Sequence, residues 1–254
     1  MRKLALVLLL LAVAAPGLAG EDVFQKAFSL EGITRISVEN VNGDIQALAW
    51  EKPYLRVRAV KRARGGRSEE TLRLTEIRVT KEGDEIRVET INPRRRRLFG
   101  FLDHARTAQV NYEIQLPPGI DARLETCNGK VGGSGFGADL AADTVNGSIE
   151  LRDISGPVRA TTVNGSLRIA FRGPLKKSHL ETVNGSVEVA FDRSSAVRYD
   201  LETVNGRIEG DFSLAVDGKW GPKEARGVFN ASAVGGVETL RCETVNGSIR
   251  LKTY

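Results

Sequence analysis

The sequence predicts an all-β fold: a single-stranded parallel β-solenoid with coils of about 20 residues, preceded by longer, partly antiparallel strands that share its sheets. Three observations carry this reading. The dipeptide Asn-Gly recurs at Asn42, Asn128, Asn146, Asn164, Asn184, Asn205 and Asn246, and from Asn128 onward the steps are 18, 18, 20, 21 and 41. The residues flanking each Asn-Gly repeat in columns. Beyond the first twenty residues, no stretch shows a helical hydrophobic period.

Aligning the last six copies on their asparagine makes the columns explicit. Two residues before it stand Thr126, Thr144, Thr162, Thr182, Thr203 and Thr244. One before stand Cys127, then Val145, Val163, Val183, Val204 and Val245. Four before stand Leu124, Ala142, Ala160, Leu180, Leu201 and Cys242, and three after stand Val131, Ile149, Leu167, Val187, Ile208 and Ile249. Apolar and polar positions alternate on both sides, so each repeat reads as strand, Asn-Gly corner, strand, connector. In a hairpin meander, Asn-Gly would be a type I′ turn and each strand would match its partner without needing to repeat itself. In a solenoid, each strand stacks on its equivalent about 4.8 Å away, which brings Thr onto Thr and Asn onto Asn. The columns favour the solenoid, with the six threonines and Asn128, Asn146, Asn164, Asn184, Asn205 and Asn246 as its structural ladder. The corner is expected to use the left-handed region that Asn tolerates and Gly accepts. The step of 41 reads as two steps with one marker missing. On that count Cys127 and Cys242 lie in the first and last coils, roughly 25 Å apart. That is too far for a disulfide, and both read as small core residues.

Residues 1–19 read as a cleaved secretory signal. Arg2 and Lys3 precede an apolar run over 4–15, Pro16 and Gly17 break it, and Gly17 and Ala19 supply the small residues of a cleavage site. The run is shorter than the about 20 residues of a membrane-spanning helix. No cysteine follows the site to carry a lipid. The expectation is an exported protein of the periplasm, cell envelope or extracellular space, neither a lipoprotein nor transmembrane after cleavage. The mature domain, 20–254, divides into entry strands with a basic loop over 20–116 and the Asn-Gly repeat solenoid over 117–254.

Within the entry region, strands are expected over 54–61, 72–80, 85–91 and 108–116, with turn signals at Gly65-Gly66 and Gly83-Asp84. Charge is uneven. Residues 52–106 hold sixteen Lys/Arg against eight Asp/Glu, whereas 107–254 hold seventeen against eighteen. A uniformly basic nucleic-acid binder would look different. Half of the local excess comes from Arg94, Arg95, Arg96 and Arg97, followed by Leu98, Phe99 and Phe101. This loop is the candidate contact site, with arginine meeting phosphate or carboxylate and the apolar residues entering an interface.

The segments ISVENVNGDIQALAW and VNYEIQLPPGIDARLETCNG, and the tail DFSLAVDGKW…ARGVFNASAVGGVETLRCETVNGSIRL, resemble the bacterial putative-adhesin domain, a domain of unknown function with T-x-N-G coils, akin to the head domain of some adhesins. The resemblance implies a β-solenoid over most of the mature chain. It also implies a glycine-rich coil where Asn-Gly is missing, which would account for the step of 41. It brings no catalytic residues.

No enzyme constellation is found. His104 and His179 stand in no metal-ligand spacing and beside no nucleophile motif. The column three before Asn is mostly acidic: Glu125, Asp143, Glu181, Glu202 and Glu243, with Thr161 intervening. Stacked like charges repel, and Arg123, Arg159 and Arg241, two residues upstream, are the candidate counter-charges. The expected function is a non-catalytic envelope or surface scaffold, without metal or cofactor. Its partner would be an envelope glycan, an anionic lipid or a membrane protein. The alternatives are a carbohydrate-active lyase or hydrolase on a β-helix, and an envelope-stress or signalling accessory that docks to a membrane protein.

Overall fold

The computed structural model describes residues 9–10, 21–63, 68–92, 107–218, 221–231 and 236–254. These form two sheets of eleven strands. Each Asn-Gly repeat sends the strand before its corner into one sheet, here sheet I, and the strand after it into the other, sheet II. Around Asn146, Leu140–Asn146 lies in sheet I and Ile149–Ile154 in sheet II. Neighbouring repeats pair parallel and in register, so that Thr144 stands beside Thr126 and Thr162, and Asn146 beside Asn128 and Asn164. The chain is thus all-β with parallel strands, as the columns imply, and it is not a hairpin meander.

The order of repeats in the stack differs from their order in the chain. Arg35–Glu39 and Ile45–Ala49 pair with Asp121–Asn128 and Val131–Ser134, and Asn42 bridges Asn128, so the Asn42 repeat opens the stack. At the other end, Glu238–Asn246 inserts between Ser178–Asn184 and Val197–Thr203. Ile249–Thr253 does the same between Val187–Phe191 and Ile208–Gly210.

The reading of the step of 41 as a hidden glycine-rich coil is therefore corrected. The intervening chain instead supplies Lys223–Phe229, antiparallel to Val197–Thr203, and Val216–Asp217 beyond it. Antiparallel strands cover an edge that a bare parallel strand would leave open. Phe212 and Phe229, with ring centroids 4.4 Å apart, close the core over Phe191.

The first end is capped similarly. Gln109–Leu116 extends sheet II parallel to Ile45–Ala49, Tyr54–Arg62 and Glu21–Ser29 follow as antiparallel strands, and Glu76–Glu82 pairs antiparallel with Glu85–Ile91 on sheet I. The strand expected over 72–80 begins only at Glu76, because Ser68–Leu74 is a helix. Glu69 and Glu70 in its first turn and Arg73 in its last complement the helix dipole. A helix this short leaves no periodic signal.

The cysteine expectations divide. Both are free, and Cys242 is buried in the core. Through the inserted repeat it lies four steps from Cys127, about 19 Å. Cys127, expected in the core, is exposed. Side chains alternate along a strand. With Leu124 and Thr126 facing inward, position 127 must face out.

The corner itself departs from expectation. Among the corner glycines only Gly43 has positive φ; Gly129, Gly147, Gly165, Gly185, Gly206 and Gly247 do not. These six are glycine for a different reason. A Cβ at each would fall on the carbonyl oxygen of the corner glycine in the repeat before it in the stack. The same oxygen accepts the buried threonine hydroxyl: Thr144 donates to Gly129 at 3.0 Å, Thr162 to Gly147 at 2.9 Å and Thr182 to Gly165 at 2.9 Å. Threonine thus bonds across to glycine rather than to threonine. In the opening repeat Asn40 takes this place, and its amide donates to Gly43 O and Val110 O.

Gly165→Ala, facing unyielding backbone, and Thr182→Ala, which strips a buried donor, are each expected to destabilise the fold by about 1–3 kcal/mol. Glu188→Ala removes only a surface pair with Lys252 and should cost under about 1 kcal/mol. Denaturant melts of the three variants check the ranking; equal midpoints would contradict it.

Candidate functional site

The register that stacks the corners also sorts the outer face of sheet I into rows. At the corner edge runs an amide ladder. Asn128 Nδ2 donates to Asn42 Oδ1 at 2.9 Å, and the chain continues through Asn146, Asn164, Asn184 and Asn246 to Asn205. Beside it lies an exposed apolar row that includes Val41, Cys127, Val145, Val163, Val245 and Val204. Next comes the acidic row, joined in the stack by Glu39, and beyond it the row five residues before Asn, which carries the arginines.

The acidic row is balanced much as its composition suggests. Arg123 pairs with Glu125 and reaches Asp143 at 3.8 Å, and Arg241 pairs with Glu243. Arg87 approaches Glu39 at 3.6 Å. Arg226, on the capping strand, holds Asp200, Glu202 and Glu224 together at 2.8, 2.9 and 3.3 Å. Arg159 differs: its own repeat has Thr161 in the acidic row, and it makes no ion pair among the described residues. His179 Nε2 stands 3.9 Å from Glu181 and 4.0 Å from Glu243.

Over the arginine row and the row before it lies a groove of about 810 Å³ that crosses seven strands of sheet I, from Glu85–Ile91 to Glu238–Asn246. Arg35, Arg87, Arg123, Arg159, Lys177 and Arg241 line it, together with His179 and the carboxylates Glu39, Glu85, Asp121 and Asp139. On its middle strand the small Ala141 stands between Arg123 and Arg159. Guanidinium groups in such a setting can bind oxyanions bidentately and donate to hydroxyls. Asp121 opens its strand, Asp139 immediately precedes the neighbouring strand Leu140–Asn146, and Asp121 Oδ1 accepts the Asp139 amide at 3.2 Å. Among the described residues no cluster of His, Cys, Asp or Glu could hold a metal ion, and no helix is long and apolar enough to cross a membrane.

Of the residues expected at a site, the ladder threonines and asparagines are brought together at the corner edge. The basic loop, Arg94 to Phe101, and His104 lie outside the described residues. The groove was not foreseen. Arg35 comes from the Asn42 repeat and Arg87 from the capping hairpin, both outside the six aligned copies, and Arg241 joins the end of the row only through the inserted repeat.

Asp143, half-sunk between strands, has its carboxyl held above the ordinary range. Burial is the main cause, Arg123 opposes it and Glu125 adds to it. A raised folded pKa means that the stabilisation is present below the unfolded value and lost as pH rises through the folded one. Asp143→Asn should therefore melt close to the parent at pH below about 4 and progressively above it toward neutral pH. Paired melting curves across that range check this; a gap that is flat or closes with rising pH would contradict it.

The fold can be set beside known proteins. A putative cell adhesion protein from Clostridium sporogenes superposes with TM-score 0.52 at 13% identity, covering 92% of this chain and 100% of the other, and so shares the fold. A putative adhesin from Bacteroides fragilis aligns at TM-score 0.38 and 10% identity over 92% of this chain and 97% of its own. A putative lipid binding protein from Parabacteroides distasonis aligns at 0.37 and 10% over 90% and 96%. Comparison with proteins of curated function returns no match. The family model described as Toastrack DUF4097 matches residues 29–252, from the first capping strand to the end of the last repeat, and the chain belongs to that family.

Proposed function

We propose that this chain is a non-catalytic, exported scaffold of the cell envelope or surface, a single-stranded solenoid of about 20-residue coils whose outer sheet I face binds an extended envelope glycan. One observation carries the reading: the groove runs along the stack axis across seven strands, lined by cationic donors, carboxylate acceptors and small residues. A ligand lying in it would meet equivalent positions of successive repeats, which suits a polymer better than a compact molecule. The fold shared with the putative cell adhesion protein of Clostridium sporogenes is consistent with this role. Export rests on the signal pattern of residues 1–19. Docking of the 94–101 arginine and phenylalanine loop to anionic lipid or to a membrane protein is compatible with the same placement.

The enzymatic alternative has Asp121 and Asp139 in the groove. A glycosidase needs one carboxyl kept protonated as general acid, and the acid raised by burial, Asp143, is not among the groove-lining residues.

The test is a panel of neutral and acidic bacterial glycans presented to the parent protein and to Ala141→Trp, which fills the groove without touching the core. The parent is expected to retain at least one glycan and release no new reducing ends, and the variant to lose binding at an unchanged melting temperature. Failure of the parent to retain any glycan, equal binding by the variant, or appearance of reducing ends would each contradict the proposal.

A further inference from the structure

The arginine row has a period that appears only in the stacked order. Ser37 pairs in register with Arg87 on one side and Arg123 on the other. Ala141 pairs with Arg123 and with Arg159. His179 pairs with Arg159 and with Arg241. Read along the groove, the row is Arg87, Ser37, Arg123, Ala141, Arg159, His179, Arg241. Arginine occupies every second strand, and a serine, an alanine or a histidine occupies the strands between. Two strand steps separate successive arginines, about 9.6 Å. The chain order would not produce this pattern, because Arg241 falls beside His179 only through insertion of the last repeat.

From this spacing we infer that the groove reads a linear acidic polysaccharide bearing one carboxylate per disaccharide, laid along the stack axis. This rests on the glycan-binding reading above and names its ligand class. Two pyranose units in an extended chain span about the separation of successive arginines, so each carboxylate meets one guanidinium. The intervening Ala141 leaves room for the uncharged sugar, whereas Ser37 is buried beneath the groove. Arg87, Arg123 and Arg241 pair with Glu39, Glu125 and Glu243 in the acidic row. Arg159, at the interior of the row, is exposed and makes no ion pair among the described residues, although its charge is felt by Asp143 on the neighbouring strand. A polymer charged on every sugar would place alternate carboxylates over Ser37, Ala141 and His179, where this row offers no guanidinium; the other cations of the groove, Arg35 and Lys177, lie one row further along the strands.

The experiment is calorimetric titration with a hyaluronan octasaccharide (one carboxylate per disaccharide), an oligogalacturonate of equal length (one per sugar) and a neutral chitin oligosaccharide. The proteins are the full mature chain, Arg159→Ala, and the double variant Ala141→Arg with Arg159→Ala. The double variant keeps the net charge but breaks the period. Melting curves confirm that the variants fold. The parent is expected to bind hyaluronan more tightly than oligogalacturonate. Arg159→Ala should lose about tenfold or more in affinity, the worth of one charge-assisted contact, and the double variant should not recover it. Recovery by the double variant, equal binding of parent and Arg159→Ala, or a preference for oligogalacturonate would overturn the inference and show that the alternation only keeps like charges apart. Binding of the chitin oligosaccharide alone would also overturn it while leaving the glycan-binding groove standing. Absence of binding to all three, with none on the wider panel, would remove both.

Discussion

At each of the six corners from Gly129 onward a glycine Cα rests against the carbonyl oxygen of the corner glycine in the neighbouring repeat, and a buried threonine hydroxyl donates to that same oxygen. The contact leaves no space for a side chain and gives the corner carbonyl a donor where the sheet ladders break off. An unpaired buried carbonyl would cost roughly 1–3 kcal/mol at each corner. Because the corner admits only one register, each strand must stand directly on its equivalent. The in-register columns of leucine, valine and isoleucine that fill the core follow from it, and so do the amide ladder and the charged rows outside.

Much of this was legible in the sequence, because stacking in register writes the same residue type into the same column. The invariant threonine and the recurrent Asn-Gly are that signature, and they point to parallel strands. The physical role of the glycine was not legible. Close approach and left-handed backbone both demand glycine, and only the stacked backbones tell them apart. Cys127 was misplaced because it stands in a column of valines. Valine there lines an exposed row, so apolar character did not report burial.

The arrangement of the repeats was hidden for a different reason. A column alignment states which residues are equivalent but not which copies are neighbours. The Asn42 repeat lies far upstream of Asn128 yet stands next to it, and the chain passes over one place in the stack and returns to fill it with its C-terminal repeat. The candidate groove depends on that arrangement. Arg123, Arg159 and Arg241 share a repeat column while Arg87 lies outside it, and the four become an evenly spaced row only when the strands are put in spatial order. Function in this fold is therefore read from the rows across repeats rather than from residues close in the chain.

The insertion of the last repeat is the feature on which the row, the groove and the end cap all rest, and cysteine cross-linking tests it directly. Ser186, Ser248 and Arg207 occupy the same position in three repeats, with the Ser248 amide donating to Ser186 Oγ and the Arg207 amide to Ser248 Oγ, both at 3.3 Å. In a background of Cys127→Ser and Cys242→Ala, cysteines at 186 and 248, or at 248 and 207, should form a disulfide on mild oxidation. Cysteines at 186 and 207 should not, because two strand steps place them about 9.6 Å apart, beyond the roughly 7 Å reach of a disulfide. Efficient bonding of 186 to 207, with none between 186 and 248, would show that the repeats stack in chain order and would contradict the account.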